Sequence, residues 1–504
     1  RGGRGQVLWK PNDRTAIKYL YLRQSENTSD NGYTQPDTAG AYAKQTVVPE
    51  PQDFETTIHS LRLDQSVGVG TLTVTATYHL KSQHSINDVT SAFGSFFNNE
   101  VSPLLFAGDA RSSGTTYEAR LSSAANGRVT YVIGAMRDLT RESFLDTFGG
   151  VGARQFVETN YDPIFGAGFA AAAVPNDNFY TSTLAVKGEE RAFFGEATYH
   201  VNNKWSVTLG GRAFDTAVDA LVNSSGLFEY FSTDPSVLSF AYSARERARG
   251  FTPKASVTWS PDADVMVYAL ASKGFRFGGP NLNPPDPQDP FPPTFRPDSL
   301  WNYELGTRTN WLDRRMEADL TAFYIDWTDI QVRLGTASGL AYATNFGKAA
   351  NIGLEGAFVF HPVKNLALQA SATYLNATLR QAVNFGYTSA AAGATLPGAS
   401  RWSVSGAASY QFTSVPTQPT LQVSDRYLSS APSDFGMDYP VLQNGYNILG
   451  VRMTSRIRSL NATLFVDNVA DRRGVTIASV YGGGPLQQFI VRPRSAGLTL
   501  DYRY

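Results

Sequence analysis

Apolar and polar residues alternate along this chain with a period of two, again and again. From Thr71 to Leu80, Leu72, Val74, Ala76, Tyr78 and Leu80 share one face, while Thr71, Thr73, Thr75, Thr77 and His79 take the other. Trp205, Val207, Leu209, Gly211 and Ala213 oppose Ser206, Thr208, Gly210, Arg212 and Phe214 in the same way. The pattern returns at Leu366–Tyr374 and at Leu460–Asp467. Such alternation places one face of an extended strand in an apolar medium and the other in a polar one. About nineteen segments read like this, many of them roughly the 9–11 residues that a tilted membrane strand needs. No segment of helical period competes with them, and no run approaches the ~18 uninterrupted apolar residues of a spanning helix. Around Lys18 and Lys273 the pattern leaves open which face is which.

The connections alternate in length. Short turns lie at Pro11-Asn12-Asp13, Asn202-Asn203, Ser260-Pro261-Asp262, Leu312-Asp313-Arg314, Pro362-Val363-Lys364 and Arg456-Ile457-Arg458. Between them come long polar or aromatic excursions near 25–50, 81–113, 141–180, 215–248, 275–298, 331–345, 379–396, 429–442 and 470–493. Tight turns at one end of a sheet and long loops at the other are the signature of an outer-membrane barrel. A soluble sandwich would seldom separate its loop lengths so strictly. The seven tryptophans agree: Trp9, Trp205, Trp259 and Trp311 adjoin short turns, and Trp301, Trp327 and Trp402 adjoin long loops. An indole at a strand end can bury its ring in lipid and keep its N–H wet. The last strand carries Leu498, Leu500, Tyr502 and Tyr504 on one face and stops on an aromatic, as a lipid-facing closing strand does.

Composition narrows the function. Lys+Arg 43 against Asp+Glu 44 leaves a net charge of -1, which removes the electrostatic case for nucleic acid. The absence of cysteine from the sequence excludes disulfide staples, thiolate zinc sites and cysteine nucleophiles. The five histidines, His59, His79, His84, His200 and His361, are scattered, and no carboxylate cluster completes a metal shell around the near pair His79 and His84. No G-x-S-x-G elbow or phosphate-cradling loop is present. The sequence thus offers no catalytic, metal or cofactor site, and binding remains. The excursions are rich in rings: Phe93, Phe96, Phe97 and Phe106 in one, Phe144, Phe148, Phe156 and Phe179 in the next, then Phe228, Tyr230 and Phe231, and further on Phe291 and Phe295. Rings at this density pack on one another, on a partner or on a ligand.

A series of short motifs carries a resemblance. Ser243-Ala244-Arg245-Glu246-Arg247, Pro253-Lys254-Ala255-Ser256-Val257 and Val267-Tyr268-Ala269 lead into Ser272-Lys273-Gly274-Phe275-Arg276-Phe277-Gly278-Gly279. Tyr303-Glu304-Leu305-Gly306-Thr307-Arg308, Phe323-Tyr324-Ile325-Asp326-Trp327, Asn345-Phe346-Gly347-Lys348-Ala349, Gly353-Leu354-Glu355-Gly356 and Phe465-Val466-Asp467-Asn468 follow. In this order they resemble the barrel domain of TonB-dependent outer-membrane receptors, with an alphaproteobacterial, sphingomonad-like flavour.

The resemblance implies an all-β fold: a transmembrane antiparallel β-barrel of the 22-stranded type, of which residues 1–504 cover about nineteen strands. The N-terminal plug and first strands that such receptors carry are expected to belong to the same polypeptide. The short turns would be periplasmic and the long loops extracellular. Implied partners are the TonB–ExbB–ExbD complex, reached through the plug region, and the lipid and lipopolysaccharide of the bacterial outer membrane. The implied activity is active uptake, with a ferric siderophore as the commonest cargo of the family; glycan, cobalamin or an aromatic compound are the alternatives. Phe275, Arg276 and Phe277, with Phe96, Phe97 and Tyr230, are the implied ligand contacts. Arg276 reads equally well as an interior arginine facing plug carboxylates. Arg212 and Arg308, mid-strand, would line the lumen against the plug, because charge must face away from lipid. A passive porin or structural barrel, and a β-rich enzyme, are the rival readings.

Overall fold

The period-two segments form nineteen strands of one sheet, each hydrogen-bonded antiparallel to the next in sequence. The computed structural model describes residues 1–232, 238–281, 291–335, 341–385, 388–433, 435, 442–480 and 484–502. The inner turns run from two residues (13–14) to eight (412–419), while the outer connections run from thirteen (226–238) to twenty-seven (151–177).

Register assigns the faces. Leu209, Leu305 and Leu464 are each more than 60 % exposed, and the apolar positions of neighbouring strands line up with them: Leu305 pairs with Ala269 and Ala322, Leu464 with Met453 and Leu498. This is the surface that acyl chains cover, and a soluble protein would not leave it bare. The opposite face carries Thr, Ser, Tyr and ionised residues. Lys18 falls on that inner face, level with Arg62. Lys273 falls on the outer face, level with Trp301, where a long stem lets its ammonium reach the interface. Trp205 and Trp259 stack with centroids 5.9 Å apart beside the inner turns. Trp327 is an exception to the girdle, since its register places it opposite Leu300 on the inner wall.

The wall is uneven in height. Six consecutive strands, Gly70–Asp88, Leu104–Ser123, Val129–Gly150, Asn178–His200, Trp205–Ser225 and Ser239–Trp259, run 19 to 23 residues. About ten residues suffice to cross, so roughly half of each strand stands above the membrane. This corrects the expected loops at 81–113, 141–180 and 215–248: much of each is strand, and the true connections are 89–103, 151–177 and 226–238. Short helices sit in these connections, Ala153–Asn160 being eight residues long.

The two ends of the sheet come round toward each other. Tyr33–Thr34, in the first outer connection, pairs with Leu486–Ile490 in the last, and the Thr34 hydroxyl donates to the Gln488 carbonyl at 3.2 Å. Among the described residues, the outward edges of strands Gly2–Asn12 and Ser495–Tyr502 carry no ladder partner.

Candidate functional site

The outer connections fold over the mouth as two apolar clusters. One gathers Phe97 and Phe156 from two connections and Phe148 and Phe179 from the strands that flank the second. Phe97 stacks on Phe179 at 4.3 Å and 11°, and meets Phe156 edge-on at 5.6 Å. Phe148 receives Phe228 edge-on at 5.3 Å. Most of these rings therefore pack on one another; Phe97 is 9 % exposed whereas Phe96, its neighbour, is 68 % exposed. Tyr230 lies in the helix Leu227–Ser232, but its side chain and that of Phe231 are outside the described residues. The second cluster joins Phe291, Ile330, Tyr342, Phe346, Leu379 and Ala390.

Near the outer end of strand Val265–Arg276 three rings form an aromatic ladder. Phe214 lies flat over Gly250, where a Cβ would stand 2.5 Å from its Cζ. Only a glycine admits the ring at that depth, and the flat ring then accepts Phe275 in a stack of 3.7 Å and 4°. Phe277 meets Phe275 edge-on at 5.1 Å and is itself exposed.

Beside the ladder, Arg276 is held from below. Its Nε donates to Asp298 Oδ2 at 2.9 Å and Oδ1 at 3.2 Å, and its Nη2 donates to Asp298 and, at 3.1 Å, to the Gln331 carbonyl. The guanidinium also lies 4.7 Å over the Trp327 ring. Asp298 is buried and gathers further donors, the Trp327 Nε1 at 3.0 Å and the Gln331 backbone N–H at 3.2 Å. A carboxylate so surrounded fixes the arginine's direction, while 49 % of the Arg276 side chain stays accessible. The result is a preoriented cation with one ring face at its side, which suits a flat, anionic ligand. Asp298 and Gln331 were not singled out by the sequence reading, which took Trp327 for a strand-end girdle residue and part of a family motif. The only trace was the Pro297-Asp298 pair at a strand start, and its partner sits 22 residues away.

Arg212 and Arg308 do occupy inner-wall positions. Each has a carboxylate within the wall: Arg212 pairs with Glu190 and touches the Met136 sulfur at 3.1 Å, and Arg308 reaches Asp319 at 3.8 Å.

A buried clasp ties the first outer connection to the wall. Glu50 is buried and accepts from the Tyr33 hydroxyl at 3.0 Å, from the Asp88 backbone N–H at 2.8 Å, and from Lys44. Lys44 also pairs with Asp30 at 2.6 Å. Burial pushes the Asp30 carboxyl up, but the Lys44 hydrogen bond and charge outweigh it and leave it below its ordinary value. Burial first, then the Glu50 charge, pushes the Tyr33 phenol well above its own.

A family model described as "TonB dependent receptor-like, beta-barrel" matches residues 6–469. The ferric yersiniabactin uptake receptor FyuA from Yersinia pestis is similar with a TM-score of 0.80 at 16 % identity, over 99 % of this chain and 69 % of that one. The siderophore receptor PiuA from Acinetobacter baumannii follows at 0.71 and 14 %, over 100 % and 74 %. The ferric-catecholate import receptor Fiu from E. coli K12, in its closed form, gives 0.67 and 16 %, over 99 % and 73 %. At these identities the structural likeness speaks for the fold. The family match, spanning most of the strands just described, agrees with the lipid-exposed outer face, the polar inner face and the divided loop lengths: the chain belongs to the TonB-dependent receptor β-barrel family and is a protein of the bacterial outer membrane.

Proposed function

We propose that this chain forms the wall and mouth of an active importer for a ferric siderophore, working without catalysis of its own. The observation that carries the reading is the half-accessible Arg276 guanidinium, aimed by Asp298 and lying over the Trp327 ring, with the exposed Phe277 next to it in sequence. A ferric chelate of the catecholate type presents flat aromatic rings and net negative charge, and such a cluster recognises both properties at once. The similarity to FyuA, PiuA and Fiu, all siderophore or ferric-chelate receptors, supports the same class. Capture at the mouth would be followed by plug rearrangement, driven through TonB with ExbB and ExbD. Phe96, exposed at the rim, would extend the contact surface.

The test is titration of the purified receptor with a panel of ferric hydroxamates, catecholates and carboxylates, followed by radio-iron uptake in cells with and without TonB. Saturable binding of at least one chelate, and uptake that disappears without TonB, are expected. Failure of every iron chelate together with binding of cobalamin, a glycan or an aromatic compound would move the cargo elsewhere. Ion conductance independent of TonB would replace active uptake with a passive pore.

A further inference from the structure

The first outer connection, residues 29–51, lies between strands Thr15–Thr28 and Gln52–Val67. A connection normally runs over the surface with its polar groups in water. This one buries Tyr33, Thr34, Gln35 and Glu50, although Tyr33–Thr34 is a strand of just two residues. A buried carboxylate requires partners, and those of Glu50 lead in two directions.

One direction is the tall wall. Asp88 ends strand Gly70–Asp88 and is buried. Its N–H donates to Glu50 at 2.8 Å, and its carboxylate accepts from the backbone N–H groups of Val47 and, at 3.0 Å, of Val48. The Asn31 amide donates to Asn87 Oδ1 at 3.2 Å, and the Gln35 amide donates to Ser91 Oγ at 3.4 Å. The other direction is the last outer connection, 468–494. Tyr33 and Thr34 pair there with Phe489 and Gln488, and the rings of Tyr33 and Phe489 lie 6.1 Å apart. Arg473, already paired with Asp471, packs on the Tyr42 ring. Strand Leu486–Ile490 is in turn paired with Val475–Val480.

Tyr33 stands where the two directions meet. Its backbone and ring hold the last connection, while its hydroxyl donates to Glu50 at 3.0 Å. Lys44 fastens this junction. Its ammonium lies 4.5 Å from the centre of the Tyr33 ring, and it donates to Glu50, to Asp30 at 2.6 Å and to the Asn31 carbonyl at 2.9 Å. An ammonium has three N–H donors, so all are taken, and only 12 % of the Lys44 side chain is exposed. With that charge gone, Glu50 would sit buried near Asp30 and Asp88 without its countercharge, a state that releasing the segment into water relieves. Lys44 therefore acts on the last connection through Tyr33.

We infer that residues 29–51 are a strap, buckled by Lys44 and Glu50, that ties the last outer connection to the tall wall. The two connections come loose together, as one two-state element set by charge. Charges suit a buckle that opens, since each is solvated on release, whereas an apolar clasp of the same area would be bared to water. This inference rests on the fold and is independent of the cargo.

Hydrogen exchange of the whole receptor in detergent, read by mass spectrometry, tests the coupling. Lys44→Met keeps a stem of similar length and removes the charge. Exchange should quicken about tenfold both at 31–35 and at 486–490, with strand Asn178–His200 unchanged as the reference. Coupling is reciprocal, so Phe489→Ala, at the far end, should quicken exchange at 47–50. The sequence has no cysteine, which makes a Thr34→Cys, Gln488→Cys pair a clean reporter. Directly opposite in the ladder, the two should join as a disulfide on mild oxidation. Faster exchange confined to 31–35 in Lys44→Met, an unmoved 47–50 in Phe489→Ala, or a cysteine pair that does not join would each overturn the strap.

Discussion

Removing the Asp298 carboxylate, as in Asp298→Ala, should unfasten the mouth without melting the wall. Asp298 is buried and holds the Arg276 guanidinium, the Trp327 indole N–H and the Gln331 backbone N–H. Breaking a buried ion pair from one side costs about 3–5 kcal/mol when the surviving charge is trapped. Here 49 % of the Arg276 side chain is already accessible, so it rehydrates and much of that cost is relieved. The two orphaned N–H donors sit at an open mouth and also regain water in part, each hydrogen bond to a charged group being worth ~1.5–3 kcal/mol when intact. A net loss of about 2–3 kcal/mol in local stability follows, which is roughly a 30- to 150-fold rise in local opening. Hydrogen exchange followed by mass spectrometry on peptides covering 328–335 reads this directly, with strand Trp205–Ser225 as the internal reference. Asp298→Asn should fall between, because it keeps an acceptor for Trp327 and Gln331 but not the countercharge. If exchange at 328–335 changes less than about threefold in Asp298→Ala, the carboxylate is not the anchor and the preoriented Arg276 has no basis.

Three further outcomes follow from the same geometry. Arg276→Ala combined with Phe277→Ala should weaken chelate binding by roughly tenfold or more and leave the thermal midpoint of the wall unchanged, as read by titration and calorimetry. Gly250→Val would push Phe214 out of the position that receives Phe275; overpacking of this kind costs about 1–3 kcal/mol and should show as a lowered unfolding midpoint and faster exchange at 274–277. In the clasp, the depressed Asp30 contributes stability that is complete above its ordinary value of 3.8 and is lost as pH falls through the lower folded value. The raised Tyr33 contributes stability that is complete below 10.0 and drains away as pH rises beyond it. Limited proteolysis within 29–51 should therefore accelerate in acid below about pH 4 and again in alkali above about pH 10, and Tyr33→Phe should abolish only the alkaline limb.

Strand content and facing were legible wherever lipid touched one side. Leu72 to Leu80, Trp205 to Ala213 and Leu498 to Tyr502 all present their apolar positions outward as the alternation implied. Reading failed above the membrane. From Arg137 to Asp146 both faces of the strand meet water or loops, so charged and polar residues fall on each and the hydropathy contrast vanishes although the ladder continues. That is why much of 141–180 read as loop. The aromatic excursions were rightly suspected of packing on one another, as Phe97 and Phe179 do. The mouth residues Phe275, Arg276 and Phe277 were found only through the motif they share with a family.

Period-two hydropathy is a property of neighbours along the chain, and so the sequence by itself determined that this protein is a sheet with an oily side, a wet side, tight turns below and long loops above. It could not say which residues meet. A slip of two residues keeps every side chain on its face while changing every cross-strand partner. The pairing of Arg276 with Asp298 and the joining of Thr34 to Gln488 across 454 residues were therefore decided only when the sheet took one register and curled round on itself.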